Sequence, residues 1–509
     1  MFVHGAEPGS SSYPPRPGAV VISLMPRDSR LTFDRGTLLL HPPPKGKSWV
    51  EFATWDDRTE KFRLPAFRYR SFLEATRAEG VVVTDKAKGF SALTLKVGLE
   101  RTPYPHQREA LNAWQRAGRC GVVVLPTGAG KTYVAQLAMQ ATPRSTLVLV
   151  PTLDLMHQWY THLKAAFPEA EVGLLGGGSK DRTPILVSTY DSAAIHAETL
   201  GNRYGLLVFD ECHHLPSEFY RVVAEYSLAP YRLGLSATPE RSDGKHEALD
   251  TLIGPVVYRR EPEQLAGTAL SEHRVVQLKV KLSADERARY DACIAARNAF
   301  LGKRGIRLGT LQGWGSFVRE SARSQEGRAA MLAHREARGL AFGTEGKLRV
   351  LADLLAQHYP DRTLVFTDDN ATVYKISHDF LLPAITHQTK VKERHDTLTR
   401  FRSGDYPVLV TSKVLNEGVD VPEAKVAVVL SGTGSSREYV QRLGRILRRR
   451  EGKLAILYEV VAEDTSEEGV SRRRRERPGS APGAVNDTTA QRTLFAPIGE
   501  GEALGLDEL

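Results

Sequence analysis

Residues 121–140, GVVVLPTGAGKTYVAQLAMQ, constrain this chain more than any other stretch. An apolar run without polar alternation is what a strand buried on both faces looks like, and here it passes through a short glycine turn straight into a helix-forming segment. In that turn, Gly128 and Gly130 let the backbone N–H groups of the loop Thr127, Gly128, Ala129 and Gly130 converge on phosphate oxygens. Lys131 sets a cation at the β- and γ-phosphates and Thr132 offers its hydroxyl to Mg²⁺. The general pattern GxxxxGK[ST] has glycine where this chain has Leu125, so the match is to the PTGxGKT variant. A strand, this loop and a helix make a cradle for a nucleoside triphosphate.

The same texture continues downstream: TLVLV at 146, ILVS at 185, LLVF at 206 and RLGLS at 232 are separated by helical stretches, the pattern of a parallel α/β sheet. It pauses in an Arg-rich stretch and resumes with TLVFT at 363, PVLVT at 407, KVAVVL at 425 and LAILYEVV at 454. The predicted fold is therefore α/β, with two parallel-sheet lobes, a small N-terminal α+β domain and a helical insert. The expected boundaries are a flexible leader at 1–29, the N-terminal domain at 30–97, a first lobe at 98–270, the insert at 271–345, a second lobe at 346–465 and a disordered tail at 466–509. The N-terminal segment interleaves Trp49, Phe52, Trp55, Phe62, Phe67 and Tyr69 with Lys61, Arg63, Arg68 and Arg70, which suits either the core of a small β domain or stacking on exposed bases.

Charge and cysteine usage narrow the partners. Lys plus Arg number 69 against 60 acidic residues, a net +9, and residues 283–340 together with SRRRRER at 471–477 concentrate the excess, which favours a polyanionic partner. With only Cys120, Cys212 and Cys293, no disulfide framework can form, so a cytoplasmic, intracellular setting is expected, and no apolar run is long enough for a membrane span.

Two further segments carry chemistry. LLVFDECHH ends a buried strand at Asp210, placed to hold the Mg²⁺ shell, and Glu211, placed to orient or deprotonate an attacking water. Cys212, His213 and His214 find no second cluster at zinc spacing, so no metal other than the Mg²⁺ of the nucleotide is expected. In SSREYVQRLGRILRRR, a helical period sets Gln441, Arg445 and Arg448 on one face and Val440, Leu443 and Leu447 roughly opposite. Arginines so presented can neutralise charge building on a γ-phosphate.

The order RTPYPHQ (101–107), PTGAGKT (126–132), VPTLDLMHQW (150–159), STYDS (188–192), DECH (210–213), SATPE (236–240), VFTDD (365–369), TSKVLNEGVDVP (411–422) and QRLGRILR (441–448) resembles the motif series of superfamily 2 helicases. Within it, the chain looks most like the XPB branch of repair- and transcription-associated translocases. The resemblance implies two RecA-like lobes with ATP between them. By position, Gln107 would read adenine, Lys131 and Thr132 the phosphates and Mg²⁺, and Asp210 and Glu211 the metal and water. Ser236 and Thr238 would couple hydrolysis to the nucleic-acid face. Gly418 and Asp420 would sense nucleotide from the second lobe, with Gln441, Arg445 and Arg448 completing the site. Thr152, Thr189, Thr367 and Thr411 would contact a strand backbone without reading sequence.

The family's Arg-Glu-Asp motif after SATP reads Arg241, Ser242, Asp243 here, which makes strand separation less secure than ATPase activity. Residues 30–97 are similar to the family's damage-recognition domain, and the insert is either its thumb-like element or a linking helical arm. QRTLF, Gln491 to Phe495, resembles a sliding-clamp peptide. The implied function is ATP-dependent DNA translocation or unwinding of 3′ to 5′ polarity on single-stranded DNA or a junction, nucleoid-associated, with a nuclease or other repair partner. The rival readings are an RNA helicase or duplex-DNA remodeller with the same motor, and an ATP-switched recruitment module for a partner nuclease.

Overall fold

The structure is a computed structural model that describes residues 28–98, 101–241, 243–308, 311–412, 424–432 and 454–475, with the side chains of 311, 391 and 473–475 excepted. Its strands form three sheets. The first sheet contains β1 (Ser29–Asp34), β2 (Thr37–His41), β3 (Thr54–Asp56), β4 (Lys61–Pro65) and β5 (Val83–Asp85) in the order β3-β4-β2-β1-β5, and helix α1 (Tyr69–Ala78) follows β4. Leu31, Leu38, Leu40, Trp49, Leu64 and Phe72 form its core, with Phe52 and Phe62 packed on it. The core reading of the aromatic run therefore holds for most of its members, while Trp55 is half exposed.

The first lobe follows helix α2 (Pro105–Arg116). Its strands are β6 (Cys120–Val124), β7 (Thr146–Val150), β8 (Val172–Gly176), β9 (Ser179–Lys180), β10 (Ile185–Thr189), β11 (Leu206–Asp210), β12 (Tyr231–Ser236) and β13 (Val256–Arg259), ordered β13-β6-β12-β11-β7-β10-β8-β9. Apart from the β8–β9 hairpin the pairings are parallel. Helices α3 (Lys131–Ala141) and α4 (Leu153–Ala166) are crossovers. Strands buried on both faces split their apolar residues by the two-residue period: Val122 and Val124 face one cluster, Val123 the other.

The second lobe is a parallel sheet of β14 (Glu272–Val280), β15 (Thr363–Phe366), β16 (Ala384–Ile385), β17 (Val408–Thr411), β18 (Val426–Val429) and β19 (Leu454–Ala462), ordered β14-β19-β18-β15-β17-β16. Here the structure corrects two boundaries. The segment 271–345 is not helical from its start, because β14 pairs with β19 over its whole length, from Glu272↔Leu454 to Val280↔Ala462. Its polar-rich sequence, EHRVVQLKV, suits an edge strand with one open side, which hides it among charged neighbours. The helical insert begins at Ala284, with α5 (Ala284–Lys303), α6 (Leu311–Arg323) and α7 (Gln325–Gly343), and α8 (Glu345–His358) returns to the sheet.

The second correction concerns the tail, expected to be disordered from 466: Ser466–Arg475 is a helix. Its anchor is Glu467, 2% exposed, which accepts a 2.6 Å hydrogen bond from the buried Lys347 Nζ and a 2.9 Å bond from Ala462 N. Lys347 also donates to Leu430 O at 2.6 Å. The leader before residue 28, Gly418, Asp420, Gln441, Arg445, Arg448 and the Gln491–Phe495 peptide lie outside the described residues.

Candidate active site

The phosphate loop after β6, Ser236 at the end of β12 and Asp210 at the end of β11 share the carboxyl edge of three adjacent parallel strands. That edge is where open α/β sheets bind ligands, because loops diverge there and helix N-termini point inward. Gly128 and Gly130 both adopt left-handed backbone, with φ of 89° and 84°. Gly130 is the N-cap of α3 and has no capping side chain, so the first N–H groups of the helix are left for an anion. A Cβ on Gly130 would also fall 2.3 Å from Gln107 Nε2.

Lys131 Nζ donates to Leu125 O at 3.2 Å and to Pro126 O at 3.5 Å, so the cation rests inside the loop it serves. Thr132 stands half-buried in the first turn of α3. Gln107, the residue implied to read adenine, lies against the phosphate loop. Its Nε2 donates to Ala129 O at 3.1 Å and its Oε1 accepts from Tyr104 N at 3.0 Å, at 4% exposure, and His106 Nε2 lies 2.9 Å from the same Ala129 carbonyl. Here Gln107 braces the phosphate loop.

Asp210 is held from three sides. Trp159 Nε1 of α4 donates to its Oδ2 at 2.7 Å, Glu211 N donates to its Oδ1 at 3.1 Å, and Tyr190 OH donates to its carbonyl at 2.9 Å. Burial, then the neighbouring Glu211 charge, pushes its carboxyl up from 3.8 to about 6, against the pull of the Trp159 bond and Lys131. Glu211 sits at φ 47°, an uncommon backbone for a non-glycine residue, and strain of this kind clusters at functional sites.

The buried Oε2 of Glu211 and Oγ1 of Thr127 accept no hydrogen bond among the described residues. Unpartnered buried oxygens beside a bare helix N-terminus and a lysine fit a phosphate chain with its cation, since such groups are otherwise costly to bury. Burial also pushes the Cys212 thiol up, which keeps it protonated, and among the described residues no group of three or more His, Cys, Asp or Glu could hold a metal.

From Glu211 a relay leads to the next strand. His213 Nδ1 is 3.5 Å from Glu211 Oε2 and 3.2 Å from Ser236 Oγ, which accepts a 3.2 Å bond from Thr238 N. The two residues implied to couple hydrolysis thus meet the acidic motif through a histidine that is 0% exposed. Arg241 joins them, gripping Asp243 through Nε and a terminal nitrogen at 2.9 and 2.8 Å and donating to His213 O at 2.8 Å. Ser242 lies outside the described residues.

The four threonines implied to touch a strand backbone divide. Thr152 and Thr189 cap the helices after β7 and β10, accepting from Leu155 N at 3.3 Å and Ser192 N at 3.2 Å, on the same sheet edge as the phosphate loop. Thr367 and Thr411 are 0% exposed and donate to Asp369 O and Ser412 O at 2.9 and 3.1 Å, so their hydroxyls turn inward and correct the expectation of direct contact. Arg394 of helix α9 (Val391–Ser403) reaches across from the second lobe to Asp154 in the first turn of α4, at 3.6 Å. The sequence reading passed over Trp159 and Tyr190, although both stand inside recognised motifs. The available signal was that a buried indole or phenol requires a polar partner.

Comparison with known proteins gives three family matches. Residues 31–87 match the Xeroderma pigmentosum group B helicase damage recognition domain, 100–241 the type III restriction enzyme res subunit, and 346–450 the helicase conserved C-terminal domain. The chain is 41% identical over 426 residues to the DNA 3′-5′ translocase XPB2 of Sulfurisphaera tokodaii, covering 83% of this chain and 95% of that protein. It is 32% identical over 373 residues to the DNA 3′-5′ helicase XPB of Mycobacterium tuberculosis, covering 71% of this chain and 60% of the relative. The helicase domain of Pyrococcus furiosus Hef superposes with a TM-score of 0.53 at 20% identity, over 74% of this chain and 98% of that one, a likeness of fold.

Proposed function

This chain belongs to the XPB family of superfamily 2 helicases, and from that premise we propose that it is a DNA-dependent ATPase that moves 3′ to 5′ along DNA in repair or genome maintenance. The observation that carries the reading is the grouping at one sheet edge of Lys131, Asp210 and Glu211, which sits on strained backbone with a buried Oε2 that accepts no hydrogen bond among the described residues. Thr132 and Asp210 would hold Mg²⁺, which supplies charge neutralisation at the phosphates.

The chain's own residues do the rest. The α3 N-terminus and Lys131 bind the phosphates, Trp159 fixes which Asp210 oxygen stays inward, and Glu211 orients the attacking water and takes its proton. His213 and Ser236 pass the state of that carboxylate to Thr238. Gly418, Asp420, Gln441, Arg445 and Arg448 are assigned from sequence to complete the site from the second lobe. DNA is the polyanion to which the charge distribution is suited, and an intracellular, nucleoid-associated setting agrees with three free cysteines. Among the described residues no helix is long and apolar enough to cross a membrane.

Lys131→Ala and Glu211→Gln should each abolish DNA-stimulated hydrolysis, while Glu211→Gln keeps ATP binding. Wild-type turnover in either variant would refute the assignment. Comparing stimulation by single-stranded DNA, duplex DNA and RNA, with an unwinding assay on tailed duplexes, separates a 3′ to 5′ DNA motor from an RNA helicase or duplex remodeller. Tight ATP binding with turnover unchanged by nucleic acid would instead mark a recruitment switch.

A further inference from the structure

At the amino ends of the first-lobe strands, opposite the ATP edge, four loops are hydrogen-bonded into one surface. Residues 86–93 leave the N-terminal domain there, 142–146 lead into β7, 181–185 into β10, and 201–205 into β11. Gly89 N donates to Asn202 O at 2.8 Å and Asn202 Nδ2 to Ala87 O at 3.0 Å. Leu93 N donates to Pro143 O at 3.0 Å, Ser145 Oγ to Arg203 O at 2.8 Å, Thr146 N to Pro184 O at 2.8 Å, and Tyr204 OH to Thr183 O at 3.2 Å. The four loops therefore hold their backbones in a fixed relation.

On this rim Lys86, Lys88, Arg144, Arg182 and Arg203 are all exposed. None of the five makes an ion pair with a carboxylate among the described residues. The acids on the same loops are turned to the backbone instead. Asp85 accepts from Tyr69 OH and from the Ala87 and Lys88 N–H groups, and Asp181 accepts from Leu174 N at 2.8 Å. Five unneutralised cations on a rigid backbone repel one another unless a polyanion covers them. The row crosses the seam between the domain matched at 31–87 and the motor lobe. The intervening strands, five residues long, set it roughly 16 Å from the ATP edge.

We infer that this rim is a second DNA-docking surface, which binds the phosphate backbone of duplex DNA and lays it across the junction of the N-terminal domain and the first lobe. Its ligand is the backbone alone, since exposed lysines and arginines hold phosphates without reading bases. The inference rests on the reading of the chain as a DNA motor.

The test is charge reversal at three of the five positions in the full-length chain, Lys88→Glu, Arg182→Glu and Arg203→Glu together. Fluorescence anisotropy with a blunt duplex is followed across a salt series. The expected result is a duplex Kd raised at least tenfold, with the slope of log K against log salt shallower by about 2–3. ATPase without nucleic acid and affinity for single-stranded DNA should stay at the parent values. A control with the same charge change at the exposed second-lobe residues Arg349, Lys375 and Arg400 should move the duplex Kd far less.

Duplex affinity and salt slope equal to the parent's would overturn the inference, as would equal loss from the control. Equal loss for duplex and single strand would reduce the rim to a general field, and selective loss of duplex RNA would assign it to another partner. If the parent chain itself neither binds duplex nor responds to DNA, the motor reading fails with it.

Discussion

Replacing Asp210 with asparagine should make the protein more stable while removing its activity. The carboxylate is 7% exposed and sits beside a second acid, and its pKa is carried from 3.8 to about 6. A raised acid pKa means that the folded state prefers the protonated form. Stability from this group is therefore complete below pH 3.8 and is lost as pH rises through about 6. The full loss at neutral pH is about 3 kcal/mol. Asparagine removes the charge, and its Oδ1 can still accept the Trp159 indole bond. After local relaxation the gain should be roughly 1–3 kcal/mol, which raises the melting temperature of the first lobe by roughly 3–10 °C.

Scanning calorimetry in nucleotide-free buffer with chelator reads it directly. The gain should be small at pH 4, about half developed at pH 5 and complete by pH 7. ATPase should be lost at every pH. Equal or lower stability at pH 8, or a gain that does not change between pH 4 and pH 8, would refute the electrostatic account of this site.

Two further substitutions probe the supports. Trp159→Phe keeps the ring and removes the 2.7 Å bond to Asp210 Oδ2, leaving that buried oxygen unpaired. It should lower kcat roughly tenfold and raise the Mg²⁺ needed for half-maximal turnover, read together with Mn²⁺ binding by electron paramagnetic resonance; unchanged metal affinity would show the indole to be packing alone. Lys347→Met or Glu467→Gln breaks a buried ion pair, with both side chains no more than 2% exposed, and should destabilise the second lobe by about 3–5 kcal/mol. The paired apolar replacement of both should cost less than the sum of the two, as measured by urea unfolding with limited proteolysis.

The sequence showed most clearly what depends on local pattern. Strands buried on both faces announce themselves, so β6, β7, β10, β11, β12, β15, β17, β18 and β19 fall where their apolar runs stand, and the phosphate loop follows from its glycines. What escaped was what depends on distant partners. The edge strand β14 is recognisable only by its register with β19, nearly two hundred residues later. The helix at Ser466 reads as a charged tail until Lys347 is seen opposite Glu467. Gln107 and Asp210 were placed in the right neighbourhood. Their hydrogen bonds come from residues 22 and 51 positions away, beyond any short motif.

The appendages take their meaning from the lobe each is wired to. The N-terminal domain is fastened to the first lobe: an Arg70 guanidinium nitrogen donates to Gly118 O at 2.5 Å and Pro230 O at 3.1 Å, and a Cβ on Gly36 would fall 2.4 Å from the Tyr226 ring. The helical insert is fastened to the second. Arg287 donates to Glu463 O and Asp464 O at 2.7 and 2.9 Å, Tyr290 OH accepts from Ser466 N at 2.8 Å, and Arg338 pairs with Asp368 beside Thr367. Each attachment uses one arginine that bonds two backbone carbonyls, and hydrogen bonds to charged groups contribute more than exposed side-chain ion pairs. In the two-lobe motor proposed above, the N-terminal domain would therefore travel with the first lobe and the helical insert with the second.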